Sequence, residues 1–477
     1  MDDRNEAELI RTLAGAADAA PEPAGDLLTM IHRRRGRRTR RRVQSALAVA
    51  GVIAVIGGGT AVARGAFSSG GGEGRILTDA TVAATASAGP ADAAKSRKGA
   101  IRPAAEVWPA AVTKISAKAA DGWKYRPVTG LSATELLLAA ESSFEKAGRL
   151  EAYDTTAGKS TVLADMPTPD GVKGYFVQDI EVGAEYIAWW GETPNNSDAW
   201  ADFWAAPRAG GTAKQVGQVT GDLSKVERIG VTADSVVWSV AGGGIYRMPL
   251  TGGSPEKIEG TDGLHLLSWP WAADVAQGGE GQDWEKNQTK AVNLETGQTV
   301  EVNVPDGVRG LRCGPVWCFG KEKGQDITVV QRVDGSDRKT LPPGLSYMGG
   351  EQRILARGFG LLSVSEVVGR DAAGEDVQVP LAAVYDPTTG TMAGIGKRDR
   401  SGGGGYGIGT SSSPTSILYW DEGQRQVGEC ETVDAGAVPR PSGEPVPTGK
   451  IKSCTGVSKG GGKELTVVNL LAVPSTE

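Results

Sequence analysis

The chain is predicted to be all-β, a seven-bladed β-propeller, with six or eight blades as alternatives. Three observations predict it. Glycine makes up 69 of 477 residues, about twice its usual ~7 % share, while long helical patterns are few. Six phrases of one design recur, each a short apolar strand, a glycine turn and a second strand. They are "LEAYDTTAGKSTVL", "FWAAPRAGGTAKQV", "IYRMPLTGGSPEKI", "KAVNLETGQTVEV", "VVQRVDGSDRKTL" and "AAVYDPTTGTMAGI". Their turn glycines, Gly158, Gly211, Gly253, Gly297, Gly335 and Gly390, are spaced 53, 42, 44, 38 and 55 residues apart. Upstream of most lies a second hairpin with an aromatic strand, as in "YIAWWG", "SVVWSV", "PVWCFG" and "SILYWD". Four strands per repeat of this length is the mark of a propeller, in which a ring of sheets buries faces that no single sheet can cover.

The elements before the ring divide by composition. Residues 1–42 hold ten arginines and seven acidic residues, net +3. "NEAELIRTLAGAADA" sets Leu9, Ile10, Leu13 and Ala17 on one helical face, "PEP" interrupts it, and "DLLTMIHRRR" restarts it. Two helices this short cannot bury a core alone, so the tail is either solvated or folds against a partner. Eight arginines then fall within residues 33–42, followed by 21 uncharged residues, 43–63. A bilayer core needs about 20 apolar residues, and flanking arginines hold their end in the cytoplasm. Residues 43–63 are therefore expected to be a single transmembrane helix with everything after it outside. The alternative is a cleaved leader: "TRRRV" at 39–43 is similar to a twin-arginine signal, and "AVA" at 61–63 is an A-x-A site. The long patterned tail, its ten positive charges and the length of the apolar run favour retention. Residues 1–63 resemble the N-terminal part of anti-sigma-like membrane proteins of high-GC bacteria. That resemblance implies a sigma factor as cytoplasmic partner. The zinc-binding version needs His-x-x-x-Cys-x-x-Cys, which a tail with His32 and no cysteine lacks.

Residues 64–102, rich in Ala, Gly and Ser, read as a flexible linker spanning roughly 35 Å. Residues 103–477 form the expected propeller. The last unit, "ELTVVNLLAV", stops after one strand, so "EVWPAAVTKI" at 106–115 is expected to supply the missing outer strand and seal the ring. Residues 424–462, with "PRPSGEPVPTG", are expected to be a loop insertion in the seventh unit. The repeat region resembles bacterial WD-repeat and TolB-like propellers, a fold that hosts many functions.

Candidates for chemistry are few. The chain's net charge of −6 leaves −9 for everything after the tail, a poor surface for nucleic acid. All four cysteines, Cys313, Cys318, Cys430 and Cys454, follow the apolar run, which fits an oxidising compartment. "CGPVWC" is expected to be a hairpin staple joining Cys313 to Cys318. Cys430 and Cys454 remain to pair across the insertion. Trp189, Trp190, Trp238, Trp317 and Trp420 recur at one place in the repeat and are expected to pack between blades. Trp200, Trp204, Trp269, Trp271 and Trp284 sit in or beside loop segments and are candidates for an exposed surface that stacks on carbohydrate or anchors a protein. "GGGGYGIG" lacks the Lys-Ser/Thr and helix of a phosphate loop. His265, the one histidine beyond the tail, lies in an apolar strand and reads as a satisfied core residue, so no triad or histidine metal cluster is expected, and no cofactor. The expected function is a membrane-anchored, non-enzymatic regulator or sensor with an outer propeller. A scaffold propeller on an inert anchor, or a secreted propeller, is the alternative. An enzyme would need an acidic pocket in the central channel.

Overall fold

The computed structural model describes residues 101–142, 148–172, 174–193, 200–276, 285–325, 327–347, 354–370, 376–396, 405–423, 425–434, 450–459 and 461–475. The tail, the expected span 43–63 and linker residues 64–100 lie outside the described residues. Among the described residues no helix is long and apolar enough to cross a membrane. The expected linker ends slightly early, because Arg102 already accepts a hydrogen bond from Gly394 at 2.8 Å and Ile101 packs against the ring.

The ring has seven four-stranded antiparallel sheets. Blades 1 to 6 follow in order as residues 124–165, 176–220, 226–257, 265–301, 308–340 and 345–395, each running from an inner strand to an outer one. Blade 7 takes its three inner strands from the end of the chain, Gly407–Ile408, Ile417–Asp421 and Glu464–Asn469. Its outer strand is Val112–Ser116, paired from Val112 opposite Val468 to Ser116 opposite Glu464. The expected closure is therefore how the ring is sealed, by a strand that leaves no open edge between the first and last units.

The strands alternate as a pleated surface requires, and the sheets share their cores pairwise. Seven clusters of buried side chains occupy the seven junctions between neighbouring blades. Trp189 and Trp190 are consecutive and point opposite ways, Trp189 into the junction with blade 1 and Trp190 into that with blade 3. Trp238, Trp317 and Trp420 are buried at junctions too, as expected of packing residues. The six repeat glycines all have positive φ, from +65° to +154°, in the turns between third and fourth strands.

Two segments depart from expectation. The middle strands of blade 6, Gly360–Arg370 and Asp376–Asp386, stay paired from Gly360 opposite Tyr385 to Arg370 opposite Asp376. Their neighbours in the sheet engage only residues 362–364 and 382–386, so the rest projects as a two-stranded ribbon. The second is a correction. The insertion expected as a loop is a hairpin of Arg425–Asp434 and Lys450–Lys459, set between the second and third strands of blade 7. The proline-rich chemistry that suggested a loop is confined to the residues between those two strands.

Because antiparallel strands reverse at each connection, the ring has two distinct faces. The first-to-second and third-to-fourth connections open on one, which carries the repeat glycines. The second-to-third and blade-to-blade connections open on the other, which carries both long hairpins. Asp121, between blades 7 and 1, meets Arg149, after the second-to-third connection of blade 1, at 2.5 Å on that hairpin face. The closing strand starts at Val112 on the opposite, tight-turn face. The C-terminal segment ends there as well, where Arg357 donates to the carbonyls of Leu470 and Val473 at 2.9 and 2.6 Å.

Candidate functional site: a plugged channel beneath a hairpin face

The inner strands of blades 1 to 5 each carry a bulge. Blade 7 departs most from the pattern. Its inner strand is two residues, Gly407–Ile408, and the chain "GTSSSPTS" at 409–416 then leaves the blade and crosses to the inner strands of blades 1, 2 and 3. Thr410 N donates to Pro127 O at 3.3 Å, Ile180 N to Thr410 O at 3.3 Å, and Ser412 N to Ile180 O at 2.9 Å. Ile229 N donates to Ser412 Oγ at 2.7 Å, Thr415 Oγ1 to Val128 O at 2.9 Å, and the Arg228 guanidinium to the Ser412 carbonyl. Ser412 and Thr415 are 1 % and 0 % exposed. Buried hydroxyls and amides of this kind are tolerable only when satisfied, and here they are satisfied by blades 1, 2 and 3 together. The segment plugs the channel on its tight-turn side. Gly409 permits the crossing, since a Cβ there would lie 2.1 Å from Val128 O.

Glu181, on the inner strand of blade 2 (Phe176–Val182), holds the plug from below. Its Oε2 accepts from Ser413 N at 2.7 Å and its Oε1 from Ser413 Oγ at 2.6 Å. Burial pushes its carboxyl up to about 7, against the hydrogen bonds from Ser413 and the positive field of Arg228. Arg126, on blade 1, donates to Thr410 Oγ1 at 2.6 Å and pairs with Glu141 at 2.5 Å. Between blades 3 and 4, His265 Nδ1 lies 2.7 Å from Glu227 Oε2, so the one histidine beyond the tail is a partnered, buried residue as its apolar strand implied. Among the described residues no group of three or more His, Cys, Asp or Glu side chains could hold a metal ion.

The five candidate surface tryptophans do not form one surface. Trp204 is buried, stacked on Trp189 at 6.4 Å between centroids, with its indole N–H on Asp202. Trp204 is thus a core residue, and its strand, Trp200–Pro207, explains why: inward positions of a third strand are packed on both sides. Burial raises the Asp202 carboxyl, with Gln215 at 2.6 Å among the donors that oppose the shift. Trp200 is half-buried, stacked on Tyr175 at the hairpin face. Trp269 and Trp271 are half-buried at the opposite, tight-turn face, and Trp269 donates to Glu295 at 2.9 Å. Trp284 lies outside the described residues. A shallow cavity of about 460 Å³ lies on the tight-turn face between blades 2 and 3, edged by Tyr186, Asp234, Arg247 and Glu256.

The cysteines fall on hairpins. Cys313 and Cys318 are directly opposite and bonded, buried in the junction of blades 4 and 5. The turn closes at Gly314–Trp317, with Gly314 N donating to Trp317 O at 2.9 Å. Cys430 stands opposite Cys454 in the register of the blade 7 hairpin.

Sequence reasoning missed the plug and the blade 6 ribbon. The signal for the plug was available: "SILYWD" is preceded by a serine run, where an inner apolar strand should stand.

No family model matches the chain, and no curated protein matches it in sequence. Among solved structures, an oligogalacturonate lyase from Vibrio parahaemolyticus is 10 % identical, with 65 % of this chain and 93 % of that one covered and a TM-score of 0.36. YCF48 bound to a D1 peptide is 10 % identical, with 76 % and 97 % covered and a TM-score of 0.36. The computationally designed Ika8 protein is 12 % identical, with 57 % and 70 % covered and a TM-score of 0.29. Likenesses this distant carry no argument about activity, and the seven-bladed fold rests on the strand order itself.

Proposed function

We propose that this chain is a membrane-anchored, non-enzymatic binding propeller. Residues 43–63 are its single span, the tail is cytoplasmic, and the ring lies outside. The hairpin face takes a protein or envelope ligand. The observation that carries the reading is the separation of the faces. Both ends of the ring leave from the tight-turn face, while the blade 6 and blade 7 hairpins rise from the other. A ring whose tether docks through residues 101–111 on blade 6 and the junction of blades 6 and 7, and enters the closing strand at Val112 on the tight-turn face, presents its long hairpins away from the membrane. The plug supports binding over catalysis, because the tight-turn side of the central channel, where an enzyme would need room for an acidic pocket, is filled by the chain's own hydrogen-bonded backbone.

The test is protease treatment of intact spheroplasts carrying a chain tagged at both ends. One full-length membrane species, its C-terminal tag digested and its N-terminal tag protected, is the expected result. A soluble mature chain beginning near Arg64 would replace this reading with a secreted propeller. The finer reading, a regulator whose tail binds a sigma factor, draws on the resemblance of residues 1–63. It requires a peptide of residues 1–42 to bind a purified sigma factor where a scrambled peptide does not.

A further inference from the structure

We propose that the Thr410–Ser416 plug is a pH-responsive bolt, with Glu181 as the group whose proton sets how often it slides free. The geometry assigns Glu181 this role. Nothing else in the described chain takes hold of Ser413, and both of its donors go to the one carboxylate, at 2.7 and 2.6 Å. Glu181 is buried, 7 % exposed, at the point where the plug passes from blade 2 to blade 3. The charged groups that face it are Asp179 on its own strand, which opposes ionisation, and Arg228 on blade 3, which favours it. The plug itself brings hydroxyls and amides but no charge. Arg126 on blade 1 faces Thr410 and is paired with Glu141.

The direction follows from linkage. With the bolt in place, burial makes Glu181 hold its proton up to about pH 7, well above the ordinary value of 4.5. Once the bolt slides out and water reaches the carboxyl, the proton is held no more tightly than usual. Opening therefore releases a proton between those two values, and rising pH draws the equilibrium toward the open form. The opening constant should rise by up to about tenfold per pH unit across that interval and level off above it. A channel closed in mildly acid surroundings and breathing in neutral ones is the functional consequence.

Amide hydrogen exchange on the full-length chain tests this, corrected for the intrinsic pH dependence of exchange. Protection at residues 410–413 should fall several-fold per unit from pH 5 to 7, while amides of the blade 1 strand Glu135–Glu141 hold theirs. Glu181→Gln should make plug protection independent of pH. Ser413→Ala should lower protection at every pH and move the midpoint upward, since it removes a donor to the ionised form. Wild-type protection flat with pH would overturn the proposal. So would an equal fall in blade 1, which would mean global loosening, or a slope that survives in Glu181→Gln. If Glu181→Gln does not fold, the direction of the Ser413→Ala midpoint decides.

Discussion

Val112 pairs with Val468, and that pairing joins the two ends of a ring whose partners lie over 350 positions apart. All seven junctions depend on it, because a ring opened at one junction exposes the apolar faces beside it. Ile115, 1 % exposed in the junction of blades 7 and 1, is the closing strand's main buried contribution. Ile115→Ala is expected to cost about 3 kcal/mol. Urea unfolding checks it, and a variant as stable as the parent would mean that the strand is dispensable.

Glu151 and Glu181 should bend the pH profile of stability in opposite directions. Burial pushes Glu151 up, but hydrogen bonds from Tyr125 at 2.5 Å, from Ser160 and from Arg149 at 2.6 Å outweigh it and hold the carboxyl below its usual range. Its contribution is present above the ordinary value of 4.5 and lost as pH falls below it. Glu181, raised to about 7, contributes below 4.5 and loses that contribution as pH rises to 7. The full effect at Glu181 is about 3 kcal/mol. Thermal melts from pH 3 to 8 should show a maximum between the two. Glu181→Gln should remove the fall on the alkaline side and Glu151→Gln part of the fall on the acid side.

Glycines of two kinds should respond differently to alanine. Gly158, at φ +65°, where an added Cβ would meet only the Tyr153 hydroxyl at 3.9 Å, should lose about 1 kcal/mol. Gly409→Ala would force a methyl against Val128 O at 2.1 Å, and should cost on the order of 3 kcal/mol or more. Equal losses in a melt would mean that the plug backbone can yield.

Peptide mapping of the oxidised protein should find two bridges, Cys313 with Cys318 and Cys430 with Cys454. Losing the first should cost about 2 kcal/mol by chain entropy. Removing the second should leave the ring's melting unchanged and raise amide exchange only in the blade 7 hairpin. Bridges joining the two hairpins would refute the register at Cys430.

The ring was legible because its punctuation is local. A glycine at φ +65° or +71° is needed wherever a tight turn joins two outer strands, and such residues recur at Gly158, Gly297 and Gly390 whatever lies around them. The closing strand was legible by subtraction, since "ELTVVNLLAV" lacked a neighbour. The plug was not, because Ser412 and Ser413 look like linker residues until Arg228 and Glu181, over 180 positions away, come beside them. Trp204 was misplaced for a related reason. Its neighbour Asp202 looks like a surface residue in sequence, but it is fully buried, held by the Trp204 indole N–H and by the exposed Gln215. The strands at 425–434 and 450–459 were masked by the prolines between them.

The closing strand also sets how the ring would carry force. The chain before it arrives at Val112 on the tight-turn face, and the blade 7 hairpin feeds into Glu464 on the opposite face. At the hairpin's root, Asp421 grips both sides, accepting from Gly423 N at 2.8 Å and Gly462 N at 2.6 Å. Once residues 101–111 have peeled from blade 6 and its junction with blade 7, a pull between something held by that hairpin and the N-terminal tether would run along two antiparallel strands from opposite ends. That is shear, in which the five residue pairs from Val112 to Ser116 bear the load together instead of tearing in sequence. The seam that completes the ring is thus also its mechanical splice, oriented in its strongest direction.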